Sequence, residues 1–468
     1  MLLIFFIKEE QVKKIKKRNM HNSEFKQINF NAAGIDIGAE THYVAVPEGR
    51  DPEGQDVRHF GTFTSDLYAL ADWLKQCQID TIAMESTGVY WIPLFEILES
   101  KGFDVKLVNP RFIKNVPGRK TDVVDCQWIQ QLHSYGLLTG SFRPEEQMSI
   151  LRSYLRQRTL LVSYASHHIQ HIQKALEQMN VKLKQVIRDI TGTTGMRIIR
   201  AILAGERKPE KLAQLRDPRC KNDIKTIAKS LHGNWRPEHL FLLQQSIELF
   251  DFYQKQIADC DLKIEQHLAN FEDRSNGQSL DKTRKLTGRN KLTFDARTHL
   301  FQMTGVDLTK VPGLDSLTAL KIISEIGLDM NRWPTEKHFA SWMGISPGSK
   351  ISGGKILSSK TKKCANRAAH YLRLAAYSLH SSKTAIGAFF RRKKAHLGPA
   401  KAITATAHKL ARIIYNMLKT GTEYKDMGQE YYEQRYKKRV ITNLKRRAKQ
   451  FGYELKYVKE QQEVMLDV

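Results

Sequence analysis

The sequence predicts a mixed α/β domain toward its N-terminal end, then a region of long helices, then a mostly helical C-terminal domain. Three observations carry that expectation. Between residues 34 and 108, short apolar runs alternate with segments whose apolar residues recur every three or four positions. Residues 148–179 and 243–268 hold the three-and-four rhythm over many turns. Beyond residue 300, helical stretches are interrupted by a loop rich in Ser, Gly and Lys.

A chain of 468 residues with 41% apolar content has room for two or three packed domains. Lys and Arg number 75 against 49 Asp and Glu, a net charge of +26, so a polyanionic partner is expected and nucleic acid comes first. A membrane surface is the competing explanation, but no apolar run approaches the roughly 18–20 residues that span a bilayer. The five cysteines are far apart and lack the spacing of a zinc site or disulfide scaffold, which fits a reducing compartment; a cytoplasmic, nucleoid-associated setting is expected. The apolar start and the basic run at residues 13–18 read as a tail, with Met20 as an alternative start.

In chain order, Gly34-Ile35-Asp36-Ile37-Gly38-Ala39 places one carboxylate in an apolar strand that continues toward Pro47, with glycines that leave the backbone room to approach a ligand. Asp36 is either a metal ligand or phosphate-site acid, or a strand-end carboxylate satisfied by backbone donors. A further strand over 57–63 completes a meander. Thr64 or Ser65 can cap a helix carrying Leu67, Leu70, Ala71 and Leu74. A buried strand over 79–84 exits at Glu85, a helix over 89–100 stops at Gly102, and a strand over 105–108 ends in Asn109-Pro110. After a basic connector that includes Lys120, Thr121 can cap a helix on which Asp122 and Asp125 share one face. Those two acids also suit a first turn as simple partners of the helix dipole.

Four acids at two strand ends and on one helix face form the layout that a two-metal phosphoryl-transfer site needs: hard oxygen ligands for Mg²⁺ or Mn²⁺. Asp36 in GIDIG, Glu85 in MESTGVYW, and Asp122 with Asp125 in KTDVVDCQWI resemble the Asp-Glu-Asp-Asp tetrad of the DEDD insertion-sequence transposases. That family is RNA-guided and has a RuvC-like, ribonuclease-H-fold N-terminal domain. The resemblance implies that these acids bind a pair of Mg²⁺ (or Mn²⁺) ions in DNA strand exchange. An actin-like or sugar-kinase phosphate loop is the alternative for GIDIG, but no second loop of the Asp-x-Gly-x-Gly kind follows.

The two long helices are expected to pair as a coiled-coil region, the second interrupted by Gln254 and Asp261, either as an ordinary bundle core or as an oligomer seam. His167, His168 and His171 have spacing compatible with a metal, but no nearby Cys or carboxylate completes a site, so a solvated or RNA-facing cluster is the expectation. Residues 194–207 also resemble longer members of the family. Residues 276–297 read as a polar, basic loop.

Residues 308–320 have the character of a helix-hairpin-helix around Pro312-Gly313, whose amides can hold a phosphate, or of a plain helical hairpin in a core. The loop at residues 344–355 offers glycines for close approach, Lys350 and Lys355 for phosphate charge, and several serines that can act as nucleophile. By its resemblance to the family's Ser-Gly motif, Ser352-Gly353 is identified as the nucleophile pair. Lys363-Cys364-Ala365-Asn366 departs from the family's usual Lys-x-Gly-Asn. Arg391, Arg392, Lys393 and Lys394 with Phe389 and Phe390 suit either nucleic-acid contact with aromatic stacking or a plain solvated face, and Lys438, Arg439, Arg446 and Arg447 with Tyr431, Tyr432 and Tyr436 suit contact with RNA or DNA phosphates.

The expected organisation is a basic tail over 1–28, a RuvC-like domain over 29–145, a helical coiled-coil region with an insertion over 146–300, a C-terminal transposase domain over 301–420, and a basic tail over 421–468. The resemblance further implies an enzyme that excises and inserts its own element through a Ser352 phosphoserine, guided by an element-encoded RNA and acting as a dimer or tetramer. A junction-resolving metal nuclease that uses water, and a non-catalytic RNA- or DNA-binding protein, are the alternatives.

Overall fold

The computed structural model describes residues 26–113, 121–281, 288 and 290–456. The expected basic run at residues 13–18, Met20 and Lys120 lie outside the described residues. The chain divides after Arg143 into two compact units.

The first unit is built on a five-stranded sheet in the order β3-β2-β1-β4-β5. Strand β1 (Ala32–Ile37) pairs antiparallel with β2 (Thr41–Ala45), and β2 pairs antiparallel with β3 (Val57–Gly61). The single long strand expected from residue 34 to residue 47 is therefore a hairpin. The chain reverses where the Gly38 N–H donates to the Thr41 carbonyl at 3.1 Å, and a β-carbon on Gly38 would lie 2.4 Å from that oxygen. Helix α1 (Thr64–Gln76) follows; its N-cap is Phe63 rather than Thr64 or Ser65, and the Asp66 carboxylate accepts the Phe63 N–H. Strands β4 (Thr81–Glu85) and β5 (Asp104–Val108) extend the sheet in parallel, joined by helix α2 (Trp91–Ser100).

Alternation sorts the sheet into two faces. Ile35, Ile37, Ile82, Met84 and Leu107 pack under α1 and α2 with Leu70, Leu74, Leu94 and Leu98. The opposite face, with Ala83 and Val108, receives Ile129 of helix α3 (Asp122–Ser134). Thr121 caps α3 by accepting the Val124 N–H at 3.3 Å.

The second unit begins with helix α4 (Glu146–Gln178), which lies antiparallel to helix α6 (Pro237–Leu268). The His267 ring meets the Gln147 carbonyl at one end of the pair, and Tyr164 meets Tyr253 farther along. Asp261 does not interrupt α6. It is fully buried and ion-paired with the equally buried Arg158, whose guanidinium also donates to the Asn290 and Lys291 carbonyls. An acid that looks like a break in the apolar rhythm is thus neutralised inside the seam. Helix α5 (Thr193–Leu203) and three short helices form an insertion at the far end, sharing a core with Leu176, Met179 and Leu243. The expected loop over 276–297 is anchored at its end, with Leu292 and Phe294 buried.

Helix α7 (Ala296–Thr304), a 3-10 turn at Leu308–Lys310 and helix α8 (Ser316–Ile326) follow. The start of α8 is capped by the chain's own Asp315, which is paired with Lys291, and a β-carbon on Gly313 would lie 2.7 Å from the Ala375 carbonyl. Arg156 grips Glu325 of α8 through two bonds of 2.9 and 2.7 Å, and Arg152 donates to the Ser324 and Glu325 carbonyls, fixing α8 to α4. Then come α9 (Glu336–Trp342), a hairpin of β6 (Lys350–Ser352) and β7 (Lys355–Ser358), α10 (Arg367–Ser378), α11 (Ala385–Leu397), α12 (Pro399–Thr420) and α13 (Gly428–Gln450). Trp333, Phe339 and Tyr415 form an aromatic core beneath α9 and α12, with the Tyr415 hydroxyl donating to the Trp333 carbonyl at 2.8 Å.

Candidate active site

Asp36 and Glu85 are brought together by register. Strands β1 and β4 run parallel with Ile35 opposite Met84, so the next residues, Asp36 and Glu85, stand abreast at the C-terminal ends of these two central strands. Adjacent strands lie about 4.8 Å apart. Both acids are half-buried and, by alternation with Gly34 and Ala83, lie on the α3 face. The Thr87 hydroxyl donates to the Glu85 carboxylate at 3.1 Å.

Gly34 sets how close α3 comes. A β-carbon there would lie 2.2 Å from the Gln130 nitrogen and 2.4 Å from the Cys126 carbonyl, so the helix backbone rests directly on β1. The two glycines of GIDIG thus admit a helix and a tight turn, both from this chain, instead of a ligand backbone. The close seat brings the first turn of α3 toward the acids. Burial, with the charges of Asp36 and Asp125 adding to it, pushes the Cys126 thiol up to about 12. Asp125 is half-buried and Asp122 exposed.

All four oxygen donors are of the hard type that divalent cations prefer. Among the described residues, however, no three His, Cys, Asp or Glu side chains stand close enough as they are to hold an ion. The donor chemistry fits such a metal, with Asp36 and Glu85 as the preformed pair. His168 is stacked on Tyr253 at 5.4 Å, and burial lowers its pKa, which gives this one histidine a packing role, while His167 and His171 are exposed.

Ser352, in the second unit, ends β6 at the tip of an exposed hairpin instead of lying in an irregular loop. Gly353 and Gly354 have φ of +55° and +75°, the left-handed pair that a tight two-residue hairpin turn requires. Ser352 pairs directly with Lys355, so the hydroxyl and the ammonium project from the same face of the hairpin. Lys350 pairs with Ser358 at the base, and Ile351 faces Ile356. Among the described residues nothing hydrogen-bonds the Ser352 hydroxyl.

The basic residues divide into engaged and open ones. Arg391 donates to the Ser382 carbonyl at 2.6 Å and to Gln429 at 2.7 Å. Arg392 lies over Tyr436 at 3.2 Å and Tyr432 at 5.1 Å. Phe390 is buried, and Lys409 and Tyr432 cover Phe389, so the aromatics expected to stack on bases pack internally; Tyr431 remains exposed. Lys393 lies over Phe389 at 5.7 Å. Lys350, Lys355, Lys394, Lys438, Arg439, Arg446 and Arg447 are exposed.

Sequence reasoning passed over Thr87, Gln130 and the Ser352–Lys355 pairing. It also passed over a plain signal: residues 337–422 contain no Asp or Glu.

Residues 33–181 match the DEDD_Tnp_IS110 family, described as Transposase, and residues 307–390 match the family described as Transposase IS116/IS110/IS902 family. Two separate segments of the chain thus match IS110-type transposase domains. The acid tetrad falls in the first match and Ser352 in the second, and DEDD-type transposases generally use divalent metal ions. The chain is also similar to the Insertion element IS110 uncharacterized 43.6 kDa protein of Streptomyces coelicolor, at 30% identity over 122 residues, 25% of this chain and 29% of that protein. It therefore matches less than a third of that relative's length.

Proposed function

We propose that the protein is a DNA transposase that excises and inserts its own mobile element through a Ser352 phosphoserine intermediate, assisted by divalent metal at Asp36, Glu85, Asp122 and Asp125. The observation that carries this reading is the register of β1 and β4, which sets Asp36 beside Glu85 on the face that α3 covers with Asp122 and Asp125. The sheet order β3-β2-β1-β4-β5, three antiparallel strands followed by two parallel ones, supports a RuvC-like ribonuclease-H fold. The antiparallel α4–α6 pair supports the coiled-coil reading.

In the reaction, the Ser352 Oγ attacks a DNA phosphorus and loses its proton to solvent. The bond from phosphorus to the 3′ oxygen breaks, and that oxygen leaves with the electron pair and takes up a proton. Energy of the phosphodiester is kept in the serine ester, so the reverse attack by a 3′ hydroxyl rejoins strands. Lys355, abreast of Ser352, holds the phosphate by charge. Mg²⁺ or Mn²⁺ on the four acids would supply charge stabilisation at the phosphate and leaving oxygen. Lys350, Lys394, Lys438, Arg439, Arg446 and Arg447 contribute phosphate contacts. The family's element-encoded guide RNA, a dimer or tetramer, and association with the nucleoid complete the proposal. The domain limits are taken as 29–145, 146–300 and 301–420.

The test is plasmid excision with Ser352→Ala and Asp36→Asn proteins. Loss of cleavage and of the denaturant-resistant protein–DNA adduct in Ser352→Ala supports the reading; retained cleavage makes the protein a metal nuclease that uses water. Unchanged strand exchange in Asp36→Asn moves the acid site elsewhere.

A further inference from the structure

Helix α13 lies beyond both family matches, which end at residues 181 and 390. None of its residues is buried. Its first turns are held down: Gln429 accepts from Arg391, and Tyr432 and Tyr436 enclose the Arg392 guanidinium. Past Tyr436, among the described residues, no side chain of α13 makes a hydrogen bond, ion pair or ring contact with another element. Among the described residues, nothing holds this stretch of about 21 Å, an arm over residues 437–450, to another element.

Charge on the arm is of one sign, and more of it lies on one face than on the other. Residues 434–453 contain no Asp or Glu, and Arg435, Lys438, Arg439, Arg446 and Lys449 recur at intervals of three, four and seven around Thr442. That spacing lines them along one face of an α-helix. Like charges three and four residues apart destabilise a solvated helix by a few tenths of a kcal/mol per pair. No acid within the arm offsets this, so a polyanion is the complement that the face lacks. Val440, Ile441, Leu444 and Phe451 occupy the opposite side together with Lys437 and Arg447, with Leu444 49% and Phe451 70% exposed.

We infer that the arm is a sequence-neutral clamp for duplex DNA, laid with its basic face in the major groove. The partner follows from width as well as charge. An α-helix with side chains is about 10–12 Å across, and the B-form major groove is about 12 Å wide. The major groove of an A-form RNA duplex is deep and too narrow for side chains to read. The five aligned cations reach phosphates on both walls of the B-form groove and leave base choice to other parts of the protein. The inference rests on the transposase reading only in taking DNA as substrate.

The experiment uses full-length protein, a 30-base-pair DNA duplex and an RNA duplex of the same length, with affinity followed by anisotropy across a salt series. Replacing Lys438, Arg439, Arg446 and Lys449 together by Gln keeps helix propensity and removes four phosphate partners. The DNA salt slope is expected to fall by about 3.6, which makes wild-type binding about 10²-fold more sensitive than the variant's between 50 and 200 mM salt. RNA duplex affinity is expected to change less than twofold. An unchanged DNA slope overturns the inference, as does an equal loss on RNA. Hydrogen exchange on the unmodified protein gives a second readout: DNA should protect residues 437–450, and absent protection overturns the clamp. Leu444→Gln should leave DNA affinity and sedimentation unchanged; a smaller assembly with weakened DNA binding would make the arm a contact between copies instead. Ser352→Ala should keep full duplex affinity, so a failed clamp and a failed chemistry are read separately.

Discussion

Gly34 and Gln130 meet backbone to backbone: a β-carbon on the glycine would lie 2.2 Å from the Gln130 nitrogen. The helix that carries Asp122 and Asp125 therefore sits where it does because residue 34 has no side chain. Gly34→Ala is expected to cost about 2–4 kcal/mol, since backbone rather than a flexible side chain must yield. Thermal melting checks the loss. Under conditions where the Gly34→Ala protein still folds, it should lose strand exchange at metal concentrations that saturate the wild type.

Asp36→Asn and Glu85→Gln should each abolish cleavage while leaving the melting temperature within a few degrees, because both acids sit half-buried at the C-terminal ends of their strands and outside the apolar core. Thr87→Val removes the hydroxyl that orients Glu85. It should raise the Mg²⁺ concentration needed for half-maximal activity about 10-fold, in line with the usual cost of losing a partner behind a metal ligand.

Lys355 stands opposite Ser352 across a two-glycine turn. Lys355→Met should slow adduct formation about 10²-fold, with Lys355→Arg recovering part of it. Substituting Gly353 or Gly354 by Val forces a β-branched residue to positive φ and should cost a similar factor without altering the melting of the core, because the hairpin is exposed.

Acid should loosen the first unit through His133. This side chain is fully buried, bonded to the Thr81 hydroxyl at 2.9 Å, and held down to about 4 by burial, with Lys106 adding to the effect. Its folded pKa lies below the unfolded value, so between about pH 6.5 and 4 the unfolded chain binds more protons and stability falls as pH falls. His133→Gln, which keeps a partner for Thr81, should flatten the melting temperature over that window.

Breaking the buried pair with Arg158→Leu alone should destabilise the long-helix region by about 3–5 kcal/mol, since Asp261 is left charged and unpaired. Arg158→Met with Asp261→Leu should restore most of it. Denaturant titration of the two proteins checks the difference.

Much of the first unit was legible because period-two and period-three-and-four patterns report burial directly. Ile82 and Met84 on one face of β4 and Leu67, Leu70 and Leu74 on α1 are where alternation and helical spacing put them. The hairpin at Gly38 was not legible, since Ile37 and His42 are both buried and the apolar pattern runs on through the turn. Asp261 misled for the opposite reason: pattern reading treats a buried acid as an interruption unless its partner is known, and Arg158 lies 103 residues away. The acids could be picked out in the sequence one at a time, but their neighbourhood depends on a strand register and a glycine contact between distant residues. The aromatics near Arg392 were misassigned because stacking on a base and stacking on a guanidinium draw on the same residue types.

The absence of any acid across residues 337–422 has a consequence for how the protein travels. A surface so poor in acids exchanges one polymer for another instead of passing through free solution, so it is expected to search by sliding and hopping along DNA. The distance a newly made copy covers is then set by how slowly it lets go. A DNA-bound copy is then expected to stay near where it first binds, and higher ionic strength should lengthen its reach.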